Sequence, residues 1–178
     1  MGLIEINSAP FTILVIKPCI IARGKGYKVL EALVEKEFLF GNRNIIHQQI
    51  DIGQAKLFYP FDEDWSKKIG AKLKLTYNNH SLSCADIFNT EDEIELGKIV
   101  IGWVWEYITS GPITAIPVFN KNKNEKVVEE LKEVVGDTDP SNAKPWTFRN
   151  IFCEGESLLQ ANKDKRAIRN GIHCSTSI

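Results

Sequence analysis

Phe11-Thr12-Ile13-Leu14-Val15-Ile16-Lys17-Pro18 is the stretch on which the fold turns. Its first six residues are dense in β-branched and aliphatic side chains and read as a buried strand, which Pro18 ends because proline has no N–H to give to a ladder. Lys17 therefore stands at a strand end, a natural place for a functional side chain. Outward from it, Gly24-Lys25-Gly26 leads into residues 27–37, where Val29, Leu30, Leu33 and Val34 share one helical face between charged residues. Residues 38–51 alternate loosely between apolar and polar around Gly41-Asn42, which predicts a strand or hairpin.

Further along, Ile113 to Phe119 (ITAIPVF) gives a second core strand, with Pro117 predicting an edge or bulged position. Val127, Val128, Leu131, Val134 and Val135 form a stripe of helical spacing that Gly136 closes. Between these elements, helix signals at 54–58 and 65–77 are separated by Asn78-Asn79-His80-Ser81, the natural place for an insertion. Thr90 reads as the N-cap of a further helix, with Glu93 as its capping-box partner. That helix runs to about Thr109, buries Ile94, Ile101, Val104, Trp105 and Ile108, and stops at Ser110-Gly111-Pro112. Residues 137–161, punctuated by Pro140, Pro145 and Gly155, predict a long irregular loop, and a short strand follows near residue 172. This order predicts an α+β fold: a ferredoxin-like βαββαβ sandwich, its antiparallel sheet covered by helices.

The 178 residues carry 22 Lys+Arg against 23 Asp+Glu, a formal charge of −1. A protein that blankets nucleic acid needs a basic surplus, so no specific nucleic-acid partner is expected. A chain of this length buries about 70% of the surface its unfolded form exposes, enough for one core without metal or disulfide staples. Cys19, Cys84, Cys153 and Cys174 lie far apart and form no C-x-x-C pair. No apolar run approaches the roughly 20 residues of a membrane span, and no basic leader with a cleavage site opens the chain. These features predict a cytoplasmic protein with reduced thiols and no membrane partner.

Generic motifs are absent: no G-x-x-x-x-G-K-[ST], G-x-G-x-x-G or G-x-S-x-G occurs, and His47, His80 and His173 are too scattered for a metal cluster. What remains is a set of donors suited to phosphate: Lys17, Lys132, Thr138, Arg149, Arg169, Asn170 and His173. Taken singly, each reads as an ordinary surface or structural residue.

Their order is more informative. Phe11 to Pro18 with Arg23-Gly24, then Ser110-Gly111-Pro112, Gly136-Asp137-Thr138-Asp139-Pro140, Pro145-Trp146-Thr147-Phe148-Arg149 and Arg169-Asn170-Gly171-Ile172-His173 together resemble the nucleoside diphosphate kinase family from about residue 10 to 177. The N-x-x-H of Asn170 and His173 is the most specific element. The resemblance implies a single domain over 1–178, with an insertion at about 60–93 like the longer middle segment of some archaeal members. It implies a ping-pong exchange in which His173 takes the γ-phosphate of a nucleoside triphosphate and passes it to a diphosphate, with little discrimination among bases. Lys17 would contact the transferring phosphate and the 3′-hydroxyl, Tyr59 would stand beside Lys17 and His173, and Asn170 would join Lys17 at the ribose. Arg149 and Thr138 would bind the β-phosphate region, and Trp65 would stack on the base. Mg2+ would arrive on the nucleotide phosphates rather than on protein ligands, and a homo-oligomer is implied, a hexamer first and a tetramer second.

The departures from the family pattern fall at the same site. Lys132 stands where a phosphate-binding arginine is usual, which keeps charge but loses the planar fork. Cys174 follows the histidine, and Ser175-Thr176-Ser177 lacks the usual acid. Trp146 and Asn150 replace glycines around Arg149. The sequence ends five residues after His173, short of the family's segment carrying a glutamate that orients the imidazole; Glu154 and Glu156 are the available carboxylates. The alternative function is accordingly a catalytically weakened nucleotide-binding or regulatory homologue.

Overall fold

The computed structural model describes residues 9–41 and 44–175. Asn42, Thr176 and Ser177, named above, lie outside the described residues. The chain forms two compact units, one built from 1–49, 111–156 and 169–178 and the other from 50–110 and 157–168.

The first unit holds an antiparallel sheet. Its centre is β1 (Thr12–Ile16) beside β4 (Ile113–Phe119), with Leu14 opposite Ile116. On the other flank β1 pairs with β5 (Ile172–Cys174), with Val15 opposite His173. The expected strand or hairpin is neither alone: β2 (Leu39–Phe40) and β3 (Ile46–Gln48) both pair with β4 and act as one interrupted strand. Pro117 consequently lies in a central strand, not at an edge. β2 pairs with Val118 and Phe119 and β3 with residues 113–115, so among the described residues Pro117 has no strand partner on β4's outer flank. A missing N–H costs nothing to the ladder there.

Period-2 alternation sends Leu14, Ile16, Ile116, Val118, Ile172 and Cys174 to one face. That face packs on α2 (Gly26–Glu35) through Val29 and Leu33, and on α7 (Val127–Val135) through Val127, Val128, Leu131 and Val135. Each such aliphatic side chain, fully buried, contributes about 1.5–3 kcal/mol. Val34, expected on the same stripe of α2, is instead exposed, because the covered face of that helix is narrower than its apolar face. Pro18 both ends β1 and opens α1 (Pro18–Ala22), where its fixed φ suits the first helical turn. The expected irregular loop contains α8 (Phe148–Phe152), whose Phe148 and Phe152 complete this core.

The second unit is helical: α3 (Ile52–Phe58), α4 (Glu63–Asn78), α5 (Cys84–Phe88), α6 (Glu93–Thr109) and α9 (Leu158–Lys163), the last also from the stretch read as loop. Asp92, not Thr90, caps α6: its carboxylate accepts from Ile94 and Glu95 N–H at 3.0 and 2.9 Å, while Thr90 Oγ1 accepts from Asp92 N–H. An anion meets the positive end of a helix better than a hydroxyl does. Ile101 and Ile108 of α6 are buried as expected, together with Leu96, whereas Ile94, Val104 and Trp105 are half-buried. Helices α4 and α6 cross at close range through Gly70 and Gly97. A Cβ on Gly70 would lie 1.8 Å from the Glu93 carbonyl oxygen, and one on Gly97 2.0 Å from that of Ser66.

Candidate active site

The pairing of β1 with β5 builds the site. Ile172 and Cys174 point into the core, so His173 between them faces the opposite side of the sheet, across from Val15. Lys17 continues the alternation of Ile13 and Val15 and emerges on the same side as His173. Its backbone N–H donates to the Gly171 carbonyl at 2.8 Å, and its Nζ donates to Asn170 Oδ1 at 2.8 Å. Asn170 Nδ2 donates in turn to the Thr138 carbonyl at 3.1 Å.

Between Asn170 and His173 the chain makes a tight three-residue turn: Ile172 N–H donates to the Asn170 carbonyl at 2.6 Å, around Gly171 with φ +59°. A Cβ on Gly171 would lie 2.5 Å from Ile20 Cδ1 and 2.7 Å from Cys153 Sγ. Glycine is demanded twice over, by conformation and by space.

Arg149, on α8, holds the same turn from the other side. Its Nε and Nη2 donate to the Ile172 carbonyl at 3.1 and 2.9 Å, and its Nη1 donates to the Gly136 carbonyl at 2.9 Å. The arginine thus clamps the residue preceding His173 to the end of α7. Gly136, at φ +89°, is pressed against Thr147, whose Oγ1 would lie 2.5 Å from an added Cβ.

The electrostatics follow from this packing. Lys17 is only 6% exposed. Burial and the nearby Arg149 guanidinium lower its pKa to about 7, against a weaker opposing effect of the Cys19 and Cys153 thiols. His173 is lowered to about 3 by burial, then by the positive charges of Lys17 and Arg149. Its imidazole is neutral across the physiological range. Cys153 is pushed up to about 12 by burial and is an inert packing thiol. Lys132, exposed on α7, acts electrostatically on the neighbouring Cys174 thiol.

The structure therefore brings Lys17, Arg149, Asn170, His173 and the Thr138 main chain together. Tyr59 and Trp65 belong to the second unit, Tyr59 at the end of α3 and Trp65 in the first turn of α4. Glu154 is exposed and Glu156 buried. Gly171, Gly136 and Cys153 are structural members of the site that the residue-type search passed over. The glycine inside N-x-x-H was the available signal for the first.

Two buried or half-buried cations beside a neutral imidazole make a site for a polyanion. They are a poor host for a bare metal ion, and no group of three His, Cys, Asp or Glu side chains suited to a metal occurs among the described residues. Magnesium fits this set only as part of a magnesium-nucleotide substrate, with the polyphosphate between it and the cations.

No family model matches the chain. It is 27% identical over 168 residues to a nucleoside diphosphate kinase of Pyrobaculum aerophilum, covering 93% of this chain and 87% of the relative. A nucleoside diphosphate kinase of Roseiflexus sp. is 35% identical over 71 residues, 39% of this chain and 45% of that one. The crystal structure of an NDP kinase from P. aerophilum superposes with a TM-score of 0.86 at 26% identity, over 96% of this chain and 90% of that one. A transition-state mimic of the Borrelia burgdorferi enzyme with bound vanadate and ADP shares the fold, with a TM-score of 0.67 at 18% identity over 94% and 79% of the two chains. The chain is thus similar to nucleoside diphosphate kinases in sequence over nearly its whole length, and it shares their fold.

Proposed function

We propose that the protein transfers the γ-phosphoryl group of a nucleoside triphosphate to a nucleoside diphosphate through a phosphohistidine at His173. The observation that carries this reading is the placement of a neutral imidazole on the same sheet face as Lys17, whose ammonium is held by Asn170. Neutral imidazole has the lone pair that a nucleophile requires. In the first half-reaction an imidazole nitrogen forms the N–P bond, the bond from the γ-phosphorus to the β–γ bridging oxygen breaks, and the diphosphate leaves with that electron pair. In the second, a terminal oxygen of another diphosphate attacks the same phosphorus and the N–P bond breaks. No proton need be removed from a neutral imidazole's lone pair, so the protein supplies positioning and charge.

Lys17 carries the charge that faces the transferring group. Incoming phosphates restore its protonation, because an adjacent anion favours the ammonium. In this reading Asn170 holds Lys17 and reaches the ribose, Arg149 and Thr138 frame the β-phosphate end, Lys132 adds charge, Tyr59 is the active-site tyrosine and Trp65 stacks on the base. Mg2+ enters on the nucleotide. The protein works as a cytoplasmic homo-oligomer, a hexamer before a tetramer, with residues 1–178 acting as one functional domain. No described helix is long and apolar enough to cross a membrane.

A two-step transfer tests this reading. The protein is incubated with magnesium and γ-labelled ATP, isolated, and then given unlabelled GDP. Acid-labile label on the protein that moves to GDP, and is absent from His173→Ala, is the expected result. ATP binding without labelling would select the weakened, nucleotide-binding homologue instead.

A further inference from the structure

His173 sits on a short edge strand. β5 is three residues long and pairs with β1 on one flank, with no strand on its other flank among the described residues. In an antiparallel strand successive residues turn their N–H and C=O groups to alternate flanks. The Gly171 carbonyl accepts from Lys17 N–H and Ser175 N–H donates to the Ile13 carbonyl, so residues 171, 173 and 175 bond inward to β1. The Ile172 carbonyl therefore points outward, to the flank where an edge strand leaves its main chain unpaired. Here it meets the Arg149 guanidinium. Nε at 3.1 Å and Nη2 at 2.9 Å fork over that one oxygen, and Nη1 reaches the Gly136 carbonyl at 2.9 Å. Gly136 is the C-cap of α7, whose last carbonyls carry the partial negative charge that a cation complements. The base of the clamp is also fixed, because Arg149 lies on α8 beside Phe148, and Phe148 and Phe152 are both core residues.

We infer that Arg149 is a positioning residue for His173: by holding the outer flank of β5 through the Ile172 carbonyl, it fixes the backbone from which the imidazole projects. The inference rests on the phosphohistidine reading, but it is separate from the β-phosphate contact given to Arg149 there. That contact acts on the substrate, whereas the fork acts on the nucleophile. A strand pinned on one flank alone can pivot about its ladder, and a displacement of about 1 Å at a reacting atom costs about 10²-fold in rate. The planar fork resists that pivot in a way a lysine ammonium does not.

Phosphoramidate separates the two roles, because it is a phosphoryl donor with neither a β-phosphate nor a ribose. An imidazole nitrogen forms the new N–P bond, the donor's own P–N bond breaks, and ammonia leaves the zwitterionic donor with that electron pair. The full chain, as wild type, Arg149→Lys and Arg149→Met, is given phosphoramidate or magnesium and ATP, and the rate of phosphohistidine formation is measured. Equilibrium dialysis against ADP and circular dichroism accompany each protein. Both variants are expected to form phosphohistidine from phosphoramidate about hundredfold more slowly than wild type. Arg149→Lys should lose as much from saturating ATP while keeping its ADP affinity, since it retains the charge and lacks the fork. A wild-type rate from phosphoramidate in either folded variant overturns the inference and leaves Arg149 a phosphate contact only. Where ATP alone labels wild type, an unchanged rate at saturating ATP in Arg149→Lys overturns it instead. Rates that fall only with the folded fraction, or variants that do not fold, make the arginine a support of the sheet and overturn it too. In each of these cases the phosphohistidine reading stands if wild type is labelled at His173. Wild type labelled by neither donor removes both.

Discussion

The ammonium of Lys17 and the side-chain oxygen of Asn170 are joined by a buried 2.8 Å hydrogen bond that spans 153 residues of sequence. This bond ties the end of β1 to the turn carrying His173, so the two residues assemble as a unit. Asn170→Ala leaves a buried cation without this partner, which costs about 1–3 kcal/mol of stability and lowers the melting temperature accordingly. Asn170→Asp keeps an acceptor for the ammonium, which a carboxylate favours, but it loses the donor to the Thr138 carbonyl, and its negative charge opposes the phosphates and raises KM for ATP. Thermal melts and steady-state kinetics on the two variants separate these effects.

The lowered pKa values make stability depend on pH in a definite direction. Between about pH 3 and 6.5 the unfolded chain protonates residue 173 and the folded chain does not. Stability is fully present above 6.5 and is lost as pH falls toward 3. His173→Gln, which cannot titrate, should show a flatter acid limb in melting temperature against pH. Parallel curves for the two proteins would refute the assignment.

Lys17 behaves likewise at higher pH. From about 7 to 10.5 it is protonated unfolded and neutral folded, so its penalty fades as pH rises through that window. Nucleotide phosphates recharge it, and ATP binding at pH 8 should therefore take up protons. Calorimetry in buffers of different ionisation enthalpy measures that uptake, which Lys17→Met should abolish.

Gly171→Ala places a methyl against Ile20 and Cys153 at a positive φ. Left-handed strain of about 1–2 kcal/mol adds to an overpacking cost of about 1–3 kcal/mol. The variant should lose several kcal/mol in urea titrations, and with it the aim of His173.

In α4, Gly70→Ala sets two effects against each other. Helix propensity favours alanine by about 1 kcal/mol, but the added carbon would lie 1.8 Å from a main-chain oxygen of α6. Backbone cannot rotate away as a side chain can, so destabilisation wins. Loss of helical circular dichroism at lower temperature is the expected observation, and an unchanged melt would mean that the crossing is looser than described.

What the sequence made legible, and what it hid, follows from the range of the forces involved. The β1 and β4 runs and the α7 stripe are periodic patterns, and they lie where their residues predict. Lys17, Asn170 and His173 were legible as an ordered motif. The hold that Arg149 has on the Ile172 and Gly136 carbonyls was not, because a guanidinium suited to phosphate is equally suited to main-chain oxygen, and only the fold decides which it meets. Pro117 misled because a strand's two flanks are indistinguishable in one dimension: the gap between β2 and β3 that shelters it is a property of partners distant in sequence. The helices α8 and α9 were missed because each is too short to show a period.

The distance in sequence between β1 and β5 has a consequence during synthesis. Lys17 leaves the ribosome early, yet its partner Asn170 and the turn that aims His173 arrive more than 150 residues later. Closing so long a loop adds only logarithmically to the entropic cost, but it delays the contact. A ribosome-bound chain that has reached α7 already holds most of the hydrophobic strands and still has no site for a nucleotide. Substrate can therefore stabilise the finished protein without assisting the growing one, and any check on correct folding that nucleotide binding provides is applied only after translation has passed His173.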